Sequence, residues 1–314
     1  MNDIQNQRDD RRIPIEQVGV TDLRYPITVL DRDHERQRTV ASITMSVNLP
    51  HHFKGIHMSR FIEVLDQNQD EVTMRTLPSI LKEIKQRLEA ESARIEIVFP
   101  YFIERSAPVS GRKALMDYEC TLTGEMNDGH DDFVLGVKVP VTSLCPCSKT
   151  ISDYGAHSQR GYITIEVRGV RQNDCSPAPI WIEEIIDIAE KSASAPVYPL
   201  LKRDDERHVT MQAYDHPVFV EDMVRDAATR LQADARVEWF RVYAINHESI
   251  HRHNAFAQVS WPGVSLDEVL CGSIHGEITR SAGHDGLQHY DGFPTDTMAA
   301  ENGKSRGCAA AIKT

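Results

Sequence analysis

Residues 76–102 read TLPSILKEIKQRLEAESARIEIVFPYF, and two periodicities meet within them. Ile80, Leu81, Ile84 and Leu88 recur on one face of a helix that starts at Thr76 with Pro78 in its first turn. From Ala93 to Phe102 the pattern becomes that of a strand. Upstream, Met58, Phe61, Ile62 and Leu65 sit at i, i+3, i+4 and i+7 and mark another helix, preceded by a strand-like run from Thr39 to Val47. Downstream, Ala114 to Gly124 reads as a further strand.

The second half repeats this order. Strands are predicted near Phe133 to Leu144 and Gly161 to Val170, helices near Trp181 to Ala193 and Pro217 to Leu231, and strands near Val237 to Ile245 and Asn254 to Trp261. No residue-level repeat links the halves, so a duplicated ββααββ order is the simplest account. Consecutive strands joined by short turns favour antiparallel pairing, and grouped helix pairs predict an α+β fold with helices on one face. Open sheets leave edges to be covered, which predicts oligomerisation.

The chain has 314 residues, about two domains' worth. Hydrophobic residues at 40% and charged residues at 26% exclude wholesale disorder and collagen-like or low-complexity classes. No stretch approaches the about 18 apolar residues of a membrane span, and the start lacks the apolar core of a secretory signal, so a cytoplasmic protein without a membrane partner is expected. With 35 Lys+Arg against 47 Asp+Glu, the net charge of −12 speaks against a dedicated nucleic-acid partner. The expected divisions are a flexible N-terminal segment over 1–20, a first unit over 21–128, a second unit over 129–262 carrying most candidate site residues, and a poorly ordered tail over 263–314. That tail holds eight of the 17 glycines and only Tyr290 and Phe293 as aromatics.

Six cysteines are too sparse for a disulfide scaffold, and two of them are clustered. Ser143-Leu144-Cys145-Pro146-Cys147-Ser148-Lys149 ends an apolar strand pattern, where Pro146 stops the ladder. If the segment is extended, residues i and i+2 point the same way and both thiols face one pocket. His157 follows in a turn-rich segment, and a thiolate with an imidazole suits zinc or a similar divalent ion. Two semi-buried thiols and a surface histidine are the bland alternative.

Two further clusters lie downstream. The run Lys202-Arg203-Asp204-Asp205-Glu206-Arg207 reads as a solvated loop that also offers cations to a phosphate. Beyond it, Val220, Met223, Val224, Ala227 and Leu231 make the apolar stripe of a helix, with Glu221 on its flank. Glu221 either looks into a pocket or only complements the helix dipole. In Asn246-His247-Glu248-Ser249-Ile250-His251-Arg252-His253, two imidazoles and a carboxylate at a strand entrance are parts of a general acid/base set, or else a polar hairpin turn.

Leu144 to Lys149 with Ile151 to Arg160, Leu201-Lys202-Arg203, Val220 to Arg225 and Asn246 to His251 resemble the prokaryotic GTP cyclohydrolase IB family, over roughly Gln17 to Trp261. The resemblance implies the tunnelling fold, in which two ββααββ units per chain assemble into oligomeric barrels, here a homotetramer, with active sites at subunit interfaces. It implies conversion of GTP and water to 7,8-dihydroneopterin triphosphate and formate, the entry to tetrahydrofolate synthesis. By position, Cys145, His157 and Glu206 would hold one divalent metal per site, whether zinc, iron or manganese, and metal-bound hydroxide would attack guanine C8. Glu221 corresponds to the guanine anchor; Glu248, His251 and His253 to the proton-handling group; and Cys147 to a second pocket thiol. Lys149, Arg160, Lys202 and Arg203 are candidates for the triphosphate on charge grounds, since a tetra-anion approaching a −12 protein needs local cations.

The sequence departs from the family pattern at Asp204, where a proline commonly precedes the acidic pair, and at His208, where an aromatic is usual. Both bear on the segment around Glu206. Two other readings remain open at this point. One is a tunnelling-fold pterin or deazapurine enzyme using Cys145 or Cys147 as a covalent nucleophile. The other is a non-catalytic zinc-stabilised module, which the mixed S, N and O donors argue against.

Overall fold

The computed structural model describes residues 5, 7–68, 71–127, 130–172 and 177–262, and the expected tail over 263–314 lies outside them. The first half runs β1 (Ile15–Asp31), β2 (Glu35–Leu49), α1 (Ser59–Gln67), α2 (Leu77–Leu88), β3 (Ala93–Ser106) and β4 (Lys113–Asn127). The second runs β5 (His130–Leu144), α3 (Pro146–Ile151), β6 (Ser158–Gly169), α4 (Ile182–Lys191), β7 (Ala195–Pro196), α5 (Arg203–Asp215), α6 (Val220–Gln232), β8 (Val237–Asn246) and β9 (Ala255–Trp261). With α3, β7 and α5 set aside as insertions, each half is ββααββ, the α+β unit expected of the tunnelling fold.

All the strand pairs are antiparallel, in the order β1-β2-β3-β4-β5-β6-β8-β9, with β7 on the end of β5. β4 pairs with β5, so among the described residues the two halves share one sheet. Residues opposite one another in a ladder share a face. One such row crosses eight strands as Leu23, Ile43, Ile97, Leu122, Leu135, Val167, Phe240 and Trp261. Its six central members are buried in a single core, each contributing about 1.5–3 kcal/mol. Helices α2, α4 and α6 bury their apolar stripes in that same core. On this face Gly124 leaves room for α2, since a Cβ there would lie 2.9 Å from Leu81 Cδ1. Among the described residues no helix is long and apolar enough to cross a membrane.

Three local readings differ from the structure. Residues 15–20, expected in a flexible segment, begin β1, whose register is broken between Ile15 and Val18 and between Val20 and Leu23. Two irregularities on a largely exposed edge strand erase the period-two signal. On α1 the buried residues are Phe61, Val64 and Leu65, while Ile62 and the N-cap Met58 stay about 40% exposed. The charged run from Lys202 is the start of α5 rather than a loop. Asp204, Asp205 and Glu206 occupy its first turn, where the helix dipole favours negative charge.

Acidic side chains from the second half dock on the first. Glu190 of α4 pairs with Arg105 of β3 and accepts from the Tyr118 hydroxyl at 3.4 Å. Burial pushes the Glu190 carboxyl up, against the pull of the Arg105 guanidinium. Glu183 accepts from the Tyr101 hydroxyl at 2.8 Å and from the Arg32 N–H at 2.9 Å. Asp205 is fully buried and accepts from the Lys202, Val109 and Ser110 N–H groups at 2.8 Å each and from the Ser110 hydroxyl at 2.7 Å. Burial alone would raise its pKa; these four bonds, led by the Ser110 hydroxyl, outweigh it and hold the group below the usual carboxylate range.

Arg105→Met leaves Glu190 as an uncompensated buried charge and is expected to destabilise the protein by about 3 kcal/mol in urea unfolding; a loss below about 1 kcal/mol would show that the pair contributes little. Asp205→Asn sets an amide nitrogen against N–H donors. Hydrogen exchange at Val109, Ser110 and the first turn of α5 is expected to accelerate, and unchanged protection there would rule out the clamp.

Candidate active site

Four strand ends meet at one end of the second half. Leu144 closes β5 opposite Ser158 of β6, Gly161 of β6 lies opposite Asn246 at the end of β8, and Asn246 lies opposite Ala255 at the start of β9. The end of β5 is held on both sides, because Leu144 N–H donates to Ser194 Oγ at 3.0 Å and its carbonyl accepts from Val218 N–H at 3.2 Å. Val218 leads into α6, so the N-terminus of that helix is brought to the same place.

Cys145 is the N-cap of α3, with Pro146 at the first helical position, where its fixed φ suits a helix start. The extended reading of this segment is therefore corrected. Cys145 itself keeps an extended backbone as the N-cap, but Cys147 lies within α3, so the period of two does not relate their side chains. Ser148 closes the turn: its N–H donates to Cys145 Sγ at 3.5 Å, its hydroxyl to the Cys145 carbonyl at 3.1 Å, and its Oγ accepts from His157 N–H at 3.2 Å. Cys145 N–H in turn donates to the His157 carbonyl at 3.1 Å. Cys145 and His157 are thus fixed beside each other by four hydrogen bonds, with Cys147 exposed.

The segment between β8 and β9 carries the second group. His157 Nδ1 lies 3.1 Å from Ser249 Oγ, which ties the cysteine turn to this loop. Glu248 Oε2 lies 3.4 Å from His251 Nδ1, and the His251 ring is 6.4 Å from that of His157 and 5.2 Å from that of His253. His251 and His253 stand in a loop rather than on a strand, yet they remain neighbours. With its proton on Nδ1, donated to Ser249, His157 keeps an Nε2 lone pair for a metal.

Among the described residues no hydrogen bond or ion pair joins the side chains of the other candidates to these. Glu206 is exposed in the first turn of α5, and among the described residues no group of three or more His, Cys, Asp or Glu side chains is assembled to hold a metal. Cys145 and His157, held beside each other by the turn, offer a thiol and an imidazole, donor types that suit a divalent ion. Glu221 is exposed in the first turn of α6, on the flank of a stripe that is buried as expected. Lys149 donates to the Tyr214 carbonyl and lies 4.2 Å from the Tyr214 ring centroid, near the C-terminal end of α5. Lys202 and Arg203 are exposed at the opposite end of α5, about 18 Å away along its axis. Arg160 is exposed on β6, where its carbonyl accepts from His247 N–H at 2.9 Å.

Sequence reasoning passed over Ser148, Ser249 and Gln159. Ser148 stands three residues after Cys145, the spacing of a side chain that closes a helix N-terminus. Gln159 donates to Glu248 Oε1 at 3.1 Å, a contact between residues 89 apart for which the sequence carries no local signal.

Residues 1–257 match the family model described as Type I GTP cyclohydrolase folE2. GTP cyclohydrolase FolE2 of Syntrophotalea carbinolica is 52% identical over 262 residues, 83% of this chain and 96% of that one. GTP cyclohydrolase FolE2 of Geobacter sulfurreducens is 52% identical over 259 residues, 82% of this chain and 97% of that one. Among solved structures, uricase from Arthrobacter globiformis aligns with a TM-score of 0.46 at 9% identity, over 78% of this chain and 92% of its own. A mutant urate oxidase from Bacillus sp. TB-90 aligns with a TM-score of 0.47 at 10% identity, over 78% and 99%. On the family match and the two sequence relatives, this chain belongs to the type I GTP cyclohydrolase folE2 family.

Proposed function

We propose that the protein is a cytoplasmic GTP cyclohydrolase of the IB type, converting GTP and water to 7,8-dihydroneopterin triphosphate and formate, the first step of tetrahydrofolate biosynthesis. Family membership supports the activity. The observation that carries the site is the juxtaposition, across 92 residues, of the Cys145–His157 turn and the Glu248–His253 loop through the His157–Ser249 hydrogen bond.

In this reading Cys145 and His157 hold one divalent ion, with Glu206 as the carboxylate that completes the set; zinc, iron and manganese all suit such donors. A divalent ion held there would lower the pKa of water and so supply a nucleophile for guanine C8 near neutral pH. Glu248 Oε2, 3.4 Å from His251 Nδ1, favours a proton on that nitrogen, which leaves Nε2 of the ring as the proton acceptor, and His253 extends the group. Glu221 accepts N1–H and the exocyclic amine of guanine, and Cys147 lends polar support. Lys149, Arg160, Lys202 and Arg203 are the cations assigned to the triphosphate. In our reading the protein is a homo-oligomer, a tetramer, whose subunit interfaces bring together groups that one chain holds apart, such as Lys149 and the Lys202–Arg203 pair at opposite ends of α5. Among the described residues the outer edges of β1 and β9 are unpaired, which is consistent with that assembly.

Metal stripping is expected to abolish formate release and pterin fluorescence from GTP, and reconstitution with zinc, iron or manganese in turn identifies the ion that restores them. Turnover in the stripped protein would sink the metal-dependent mechanism. Cys145→Ala and Glu206→Ala are both expected to lose bound metal by elemental analysis; full metal content in Glu206→Ala would remove it from the ligand set. Inosine triphosphate lacks the exocyclic amine and leaves Glu221 underpaired, so kcat/KM is expected to fall by about 100-fold or more relative to GTP. Comparable turnover of the two nucleotides would exclude Glu221 as the anchor.

A further inference from the structure

Gln159 lies on the buried face of β6, two residues after His157, with 7% of its surface exposed. Its Nε2 donates to Glu248 Oε1 at 3.1 Å, and the other oxygen of that carboxylate lies 3.4 Å from His251 Nδ1. The amide can adopt only one orientation. Turned over, its oxygen would meet a carboxylate oxygen with no proton between them. As a result Gln159 Oε1 is a buried acceptor without a hydrogen-bond partner among the described residues.

The neighbouring row repeats the situation. Asn246 Nδ2 donates at 3.1 Å to Ser143 Oγ, whose own proton goes to the Val218 carbonyl at 3.2 Å, so Asn246 is also fixed in orientation and its Oδ1 is also unpartnered. Gly161 stands opposite because a Cβ there would approach Asn246 Oδ1 to 2.6 Å. An unpartnered buried carbonyl oxygen is destabilising, and an apolar side chain of similar size avoids it. Stability therefore does not account for an amide at position 159. Its contact with Glu248 does.

We infer that Gln159 is a positioning residue, which holds one oxygen of the Glu248 carboxylate so that the other is aligned on His251. The inference rests on the proton-handling role proposed for Glu248 and His251. In this inference Gln159 acts through Glu248, the one side chain it hydrogen-bonds among the described residues.

The test is steady-state turnover of GTP by the metal-loaded, full-length protein carrying Gln159→Met, Glu248→Gln, or both. For Gln159→Met we expect kcat to fall about tenfold or more with KM within about twofold, while the thermal midpoint and metal content stay at or above those of the parent. Because one residue acts through the other, the double variant is expected to be no slower than Glu248→Gln alone. Gln159→Glu retains the shape and opposes two carboxylates; it is expected to lose kcat similarly and serves if the Met variant does not fold. Wild-type kcat in a folded position-159 variant, losses that multiply in the double variant, or a loss that tracks metal content would overturn the inference. Wild-type kcat in Glu248→Gln would instead overturn the proton-handling reading, and the positioning role with it.

Discussion

The antiparallel register between β4 and β5 is the constraint on which the rest of the molecule depends. Leu122 opposite Leu135 and Gly124 opposite Phe133 continue the buried face of the first half into the second. Side chains alternate with a period of two, so a slip of one residue at this seam would turn every apolar residue beyond it to the other face. The same register, carried through β6 to β8, sets Gln159 opposite Ser143 and Asn246 opposite Gly161. The chemistry at the strand ends is thus located by the packing of residues well inside the sheet.

Hydrogen-bonded acids complete what the register begins. Glu183, Glu190 and Asp205 all come from α4 and α5, and each bonds to residues of the first half. Apolar contact alone would leave the helices free to slide along the sheet, since burial is non-directional. A buried carboxylate that must meet specific donors removes that freedom. Asp205 does this most completely, fastening the start of α5 to the turn between β3 and β4 and so fixing where Lys202, Arg203 and Glu206 emerge.

Much of this was legible in the residues. The stripes of α2 and α6, the strands from β2 to β9 apart from the two-residue β7, and the closeness of Cys145 to His157 follow from spacing within a dozen or so residues. Where the reading failed, a competing local effect was at work. Pro146 does end the strand pattern, with β5 closing at Leu144, but it also starts α3, so Cys147 is helical rather than extended. The acidic run after Lys202 looks solvated by composition, yet its middle member is fully buried because four donors converge on it. In β1, two irregularities hide a strand whose partners are regular.

The sequence by itself determined which faces of its helices and strands are apolar, and which polar residues are short-range neighbours, because both depend on backbone periodicity alone. Only the tertiary structure decided that Glu248 lies between Gln159 and His251, that Ser249 meets His157, and that Lys149 is engaged by Tyr214 on α5. These contacts join residues separated by 65 to 92 positions, apart from the local Glu248–His251 pair. Their physical basis is the cross-strand register together with the desolvation of polar groups at its end, and neither exists until the whole sheet has formed.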